Sequence, residues 1–172
     1  VGTTRERLTP LLEKNSGLKA GVDFCVAFSP ERVSSGSMKQ GFARYPKLIG
    51  GITKECADRA AVLYKEGFNF EQNPALDREV GVWVMGSSEA AEFAKLAETT
   101  YRDVNLALAN TFAMASMRHG IDYLEIVEAC NSQPFSHLHT PGISIGGHCI
   151  PVYPHLFLES NDGMGIIEMD RK

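Results

Sequence analysis

The sequence predicts an α/β fold to about residue 86, followed by a long helix and an all-helical region to residue 172. Three observations predict it. Apolar periodicity gives the order helix, strand, strand, helix, strand over the first half, as at the edge of an α/β domain. Residues 88–119 then contain neither proline nor glycine, and Gly120 closes the run. Beyond it come short helical signals separated by a loop.

With 44% hydrophobic and 22% charged residues, the chain has enough apolar content for a core. A net charge of -4 argues against nucleic acid, which favours a basic surface. No apolar run approaches the length a bilayer requires, so no membrane span is expected. Cys25, Cys56, Cys130 and Cys149 form no C-x-x-C pair, which suggests reduced thiols and a cytoplasmic setting. Val1-Gly2 is not a natural start, so further sequence is expected upstream.

Thr3 and Glu6 form a candidate capping box for a short helix with Leu8, Leu11 and Leu12 on one face and Gly17 at its exit. Val22 to Phe28 reads as a buried strand in which Cys25 is core filler. Lys47-Leu48-Ile49 reads as a second strand, stopped by Gly50-Gly51. Thr53 caps a helix to about Glu66, with Ala57, Ala60, Ala61 and Tyr64 inward and Cys56 structural in its first turn. Residues 69–79, with Pro74, are loop, and Val80 to Met85 is a third strand.

In the long run, Phe93, Ala97, Tyr101, Val104, Leu108, Phe112 and Ala115 recur at spacings of four and three, one helical face. Such a helix is roughly 45 Å long. That length suits a bridge between domains or packing against a second copy of itself. Asp122 with Glu125 starts a short helix to about Cys130; residues 132–148 are loop, and His155 to Glu159 begins another helix.

Cys149 is the first candidate for chemistry. Gly146-Gly147 before it let a substrate approach the backbone, and Pro151 and Pro154 suit a turn or a helix start. A cysteine just before a helix is favoured as thiolate, and His148 would add charge if protonated. Local sequence alone leaves Cys149 open between a reactive thiol and core filler. A metal site competes, since His137, His139, His148, Cys149 and His155 fall close together; their spacing is not that of a recognised zinc motif, so no metal is expected. Lys95, with Thr99 and Arg102 following it, lies opposite much of the apolar stripe, where a solvated face is the plain alternative. Glu31 follows Ser29-Pro30 at a strand's C-terminal end, where ligands collect in α/β sheets, and the alternative is a cap or surface acid.

Gly2-Thr3-Thr4, SPERV at 29–33, PKLIGG at 46–51, AEFAKLAETTYRDVNLALAN at 91–110, GID at 120–122 and GGHCIPVYP at 146–154 come in order. Together they resemble the UDP-glucose/GDP-mannose dehydrogenase family over nearly the whole chain. The resemblance implies an NAD-dependent enzyme that oxidises the C6 alcohol of a UDP-linked sugar to a uronate, a step in polysaccharide biosynthesis. It makes residues 1–86 the end of a Rossmann-like NAD-binding domain and residues 87–172 a central helical region carrying the dimer core, with the helix at 88–119 joining a homodimer. It makes Cys149 the nucleophile, passing through a thiohemiacetal and a thioester. By the same resemblance Lys95 would stabilise the oxyanion, supported by Thr99. It implies Glu31 as base or water-positioning acid and as a cofactor contact. It also implies Gly146, Gly147, His148, Arg102 and Asn105 as substrate contacts. The glycine-rich dinucleotide fingerprint and the family's C-terminal domain are not in this sequence, so the chain alone is expected to be an inactive fragment.

Three positions depart from the family pattern: Thr99 stands where asparagine is usual, Ser35 where some members have a second glutamate, and Tyr153 where an aspartate follows the cysteine by four. A neutral phenol does not replace that carboxylate at neutral pH, which leaves aldehyde capture intact and weakens thioester hydrolysis. The alternative implied is a divergent, non-catalytic relative serving assembly.

Overall fold

A computed structural model describes residues 1–33, 36–143, 149–159 and 165. Gly146, Gly147, His148 and Ser35 lie outside the described residues. Two compact units are resolved, Val1–Lys95 and Leu96–Lys172.

In the first unit a π-helical turn, Thr3–Leu8, runs into α1, Thr9–Ser16. The expected Thr3–Glu6 capping box does not form, since Gly2 is the N-cap and offers no side chain. The cap comes from far along the chain: the buried Glu92 carboxylate accepts from Gly2 N at 2.5 Å, Thr4 N at 2.8 Å and Thr4 Oγ1 at 2.5 Å. Orphan donors at a helix start thereby find a negative charge, which the helix dipole also favours.

The strand expected over 22–28 shrinks to β1, Ala27–Phe28. Residues before it turn instead, because the Asp23 carboxylate accepts from Lys19 N at 2.7 Å and leaves Val22 exposed. Cys25 is correspondingly half-buried rather than core filler. A short helix the sequence reading missed, α2, follows at Met38–Arg44. It has seven residues with Gly41 in the middle, too short and too weak in propensity to show a period.

β2, Lys47–Gly51, pairs antiparallel with β1 and parallel with β3, Val82–Val84. Gly50 and Gly51 do not stop β2; they belong to it. A Cβ on Gly50 would lie 2.0 Å from the Ser87 carbonyl oxygen, and one on Gly51 would lie 2.4 Å from Ala57 N. Glycine here permits close approach of strand to helix starts. α3, Lys54–Gly67, has the expected cap, with Thr53 Oγ1 accepting from Cys56 N at 3.2 Å. It buries Cys56, Ala57 and Ala61 beside Ile49 and Leu48 in the core.

α4, Ser88–Arg118, is the long helix, ended by Gly120 in the left-handed region at φ 67°. Its apolar stripe is not the face that this chain buries. Ala91, Glu92, Leu96, Thr99, Thr100, Asp103 and Ala109 are buried, whereas Phe93, Tyr101, Leu108 and Phe112 of the apolar stripe are exposed.

In the second unit α5, Tyr123–Asn131, starts on Asp122, whose carboxylate accepts from Leu124 N at 2.9 Å. Tyr123 and Val127 pack on Ala109. α6, Tyr153–Glu159, lays Phe157 and Tyr153 on Leu96. Among the described residues, no helix is long and apolar enough to cross a membrane.

Two stability outcomes follow. Glu92→Ala strands three donors and is expected to lower the unfolding free energy by about 3 kcal/mol in urea titration, with Glu92→Gln falling between it and the parent. The Arg5 guanidinium, 2.5 Å from Glu89, holds that carboxyl down to about 2. A depressed carboxyl stabilises the fold above its unfolded value and loses this as pH falls through its folded one. The pair's contribution is therefore complete above the ordinary 4.5 and fades towards 2. With Arg5 half-exposed, solvent screening limits it to about 1 kcal/mol. Arg5→Met should lower Tm more at pH 6 than near pH 2, where the loss is chiefly that of the Arg5 bond to the Ile52 carbonyl at 2.9 Å.

Candidate functional site

Glu31 is placed by the antiparallel pairing of β1 and β2. Phe28 lies opposite Gly50, and continuing that register puts Glu31 opposite Lys47. Glu31 Oε1 accepts from its own backbone neighbours, Arg32 N at 2.7 Å and Val33 N at 3.0 Å. Oε2 faces Lys47 Nζ at 3.6 Å. Burial pushes this carboxyl up, but the Val33 and Arg32 N–H groups and then the Lys47 charge outweigh it and hold it below its usual value. Glu31 is thus a carboxylate at neutral pH, suited to accepting hydrogen bonds and orienting water rather than to giving up a proton. It leaves the C-terminal end of β1 as expected, but beside the N-terminal end of β2, because the two strands run oppositely.

Lys95 and Thr99 stand one turn apart on α4. Thr99 is buried, and its hydroxyl donates to the Leu96 carbonyl at 3.1 Å. Its single proton reaches an oxyanion only after the side chain rotates away from that carbonyl. Arg102 is exposed, and its charge joins burial and His137 in lowering His139. Asn105 donates from Nδ2 to the Tyr101 carbonyl at 2.7 Å, keeping its amide oxygen for other donors.

Cys149 is exposed, whereas Cys56 is buried and Cys25 and Cys130 are intermediate. Its carbonyl accepts from Val152 N at 3.1 Å and Tyr153 N at 3.0 Å, forming the turn that leads into α6. Tyr153, where an aspartate is usual, packs with Leu96 and Phe157, so the phenol serves the local core.

Sequence reasoning missed Asp103 and Lys47. Asp103 is fully buried one turn beyond Thr99 on α4, and its spacing of four from Thr99 and eight from Lys95 was the available signal. Lys47 was read only as the start of a strand. His137 and His139 meet edge to face at 5.6 Å, yet among the described residues no three side chains gather as a metal ion requires. A cleft of about 750 Å³ in the first unit is lined by Cys25, Phe28, Ser29, Ile49, Cys56 and Tyr64, but by neither Glu31 nor Lys95.

Residues 89–167 match the central domain of the UDP-glucose/GDP-mannose dehydrogenase family, and residues 1–68 match its NAD binding domain. The chain belongs to this family. It is 38% identical over 172 residues to a UDP-N-acetyl-D-mannosamine dehydrogenase of Pyrococcus horikoshii, covering 99% of this chain and 38% of that protein. A UDP-N-acetyl-D-glucosamine 6-dehydrogenase of Pseudomonas aeruginosa is 34% identical over 168 residues, covering 95% of this chain and 36% of that one. The solved structure of a UDP-D-ManNAc dehydrogenase from Pyrococcus horikoshii superposes with a TM-score of 0.86 at 37% identity, over 99% of this chain and 38% of that one. The chain therefore spans little more than a third of these relatives.

The residues present fit part of an NAD site. An ionised, half-exposed Glu31 could accept from neutral hydroxyl or amide donors of such a cofactor and would repel its pyrophosphate. No G-x-G-x-x-G loop for the phosphates occurs in this sequence. Accessibility gives a direct check on Cys149. In the folded protein it is expected to react with a thiol reagent well before Cys56, and Cys149→Ser should abolish that first reaction; equal rates for the two thiols would contradict the assigned exposure.

Proposed function

We propose that the protein of which this chain forms a part is a nucleotide-sugar 6-dehydrogenase acting on a UDP-linked hexose or N-acetylhexosamine. The observation that carries this reading is the exposed Cys149 thiol within the stretch that matches the family's central domain. Residues 1–86 serve as the end of the NAD-binding domain and residues 87–172 as the central helical region. NAD, when bound, supplies the two hydride acceptances that take an alcohol to the carboxylate level.

The chain's own residues do the remainder. The Cys149 thiolate adds to the C6 aldehyde, forming a carbon–sulfur bond and an alkoxide that takes up a proton as the thiohemiacetal. Capture keeps the reactive aldehyde bound between oxidations. At the thioester level, water attacks the acyl carbon, the carbon–sulfur bond breaks, and thiolate and uronate leave with release of two protons, both from the attacking water. Lys95 stabilises the oxyanion of each addition by charge, and Thr99 contributes a donor once turned from Leu96. Glu31 orients the attacking water through Oε2. Gly146, Gly147, His148, Arg102 and Asn105 hold the nucleotide sugar. Four unpaired cysteines suit the cytoplasm, where NAD is available.

The uncovered stripe of Phe93, Tyr101, Leu108 and Phe112, between 41% and 58% exposed, supports a homodimer through α4. Leu108→Glu is then expected to shift sedimentation from dimer to monomer. A second reading, an assembly domain without catalysis, draws on the same stripe and on Tyr153 packed in the core.

NADH production from UDP-sugars by the full-length protein tests the function. Two NADH per uronate are expected. Cys149→Ser should end uronate release, and Lys95→Ala should cut kcat by about a hundredfold or more. Full turnover by Cys149→Ser would refute the mechanism. Tyr153→Asp separates the two readings: a large gain in uronate release marks a slowed enzyme, and no effect with no basal turnover marks an assembly domain. The 172-residue chain by itself is expected to give no NADH.

A further inference from the structure

Lys47 is an unusual lysine for the first residue of a strand, with only 12% of its side chain exposed. Burying an ammonium is costly unless its charge is met. Here it is met on three sides. The ammonium lies 5.1 Å from the Tyr64 ring centre on α3, 5.9 Å from the Phe42 ring centre on α2, and 3.6 Å from Glu31 Oε2. The two aromatic rings define where the stem can lie, so the charge has little freedom to wander.

The Glu31 end is equally determined. Two backbone N–H groups pin Oε1, and the β1–β2 register aims the other oxygen across the ladder at Lys47. A separation of 3.6 Å exceeds an ordinary charge-assisted hydrogen bond, so the pair attracts without saturating Oε2. That oxygen keeps a lone pair for a water molecule or a substrate hydroxyl. The other charged groups near this corner have partners of their own: Arg32 donates to the Pro46 carbonyl at 3.3 Å and Arg44 pairs with Glu71 at 3.1 Å.

We propose that Lys47 is a positioning residue: clamped between Phe42 and Tyr64, it fixes the Glu31 carboxylate so that Oε2 is held ready to orient the water that attacks the acyl carbon. The inference rests on the role given to Glu31 above. It assigns to Lys47 an effect on the reaction that is exerted through Glu31 and not through substrate contact. Removing the ammonium leaves the Oε1 contacts in place but frees Oε2. It also removes a charge that favours the ionised form, so Glu31 protonates at higher pH.

Steady-state kinetics of the full-length dehydrogenase with a UDP-sugar and saturating NAD test this in a double-mutant cycle of Lys47→Met and Glu31→Gln. Lys47→Met is expected to lower kcat about tenfold, change the sugar KM less than about twofold, and move the acid limb of the kcat profile to higher pH. Lys47→Arg should restore most of kcat, because it returns a cation to the same corner. In the Glu31→Gln background, Lys47→Met should cost nothing further. The inference is overturned if Lys47→Met keeps the parent's kcat and pH profile, or if its loss is the same size with and without Glu31. A Glu31→Gln enzyme with parental kcat would instead sink the role of Glu31, and this inference with it. Should Lys47→Met fail to fold by thermal unfolding, Lys47→Gln takes its place in the same cycle.

Discussion

A buried carboxylate accepting three hydrogen bonds, Glu92, ties the first residues of the chain to the first turns of its longest helix. The arrangement is a helix cap delivered across 88 residues of sequence, which makes the π-helical turn that leads into α1 depend on the register of α4. Once that register is set, Lys95 follows one turn later, and Thr99 and Asp103 follow at spacings of four. Buried polar side chains therefore run along the first half of α4, from Ser88 to Asp103, and most of its large apolar side chains, Leu96 apart, are left outward. A helix with polar residues inside and aromatics outside is costly alone. The homodimer and the oxyanion role proposed above would account for both faces.

The same trade is visible around Cys149. Its turn is fixed by backbone hydrogen bonds into α6, and Tyr153 anchors that helix against Leu96 and Phe157. A tyrosine supplies packing that an aspartate would not, at the loss of a carboxylate near the thiol. In the mechanism proposed above, the carboxylate that serves hydrolysis is Glu31. Its position is set by β-pairing, and its ionisation by two backbone N–H groups and Lys47.

Much of this was legible in the sequence where the signal is local. α3 announces itself through the Thr53 cap, α4 through its lack of breakers, and α5 through Asp122. Membership of the dehydrogenase family was legible by motif, and the same motifs single out Cys149, Lys95 and Glu31, whose roles stand as proposals. What was not legible is non-local. A short apolar run around Val22 to Phe28 does not say whether it pairs, and Asp23 diverted most of it into a turn. Gly50-Gly51 looked like a stop because their close contacts, Ser87 and Ala57, lie on other elements. Which face of α4 this chain buries was not legible from the stripe, because the buried Glu92 and Asp103 lie off it and are polar. The pairing of Lys47 with Glu31 required a strand register that no local pattern specifies.

The claim on which the account turns is that Cys149 becomes covalently acylated during uronate formation. Rapid acid quenching of the full-length protein with its UDP-sugar and NAD, followed by peptide mass spectrometry, reads this directly. A transient mass increment equal to the sugar-nucleotide acyl group is expected on the peptide containing Cys149, strongest in a Glu31→Gln variant whose thioester hydrolyses slowly. Steady turnover with no increment at any time, or an increment on a peptide other than that of Cys149, would contradict it.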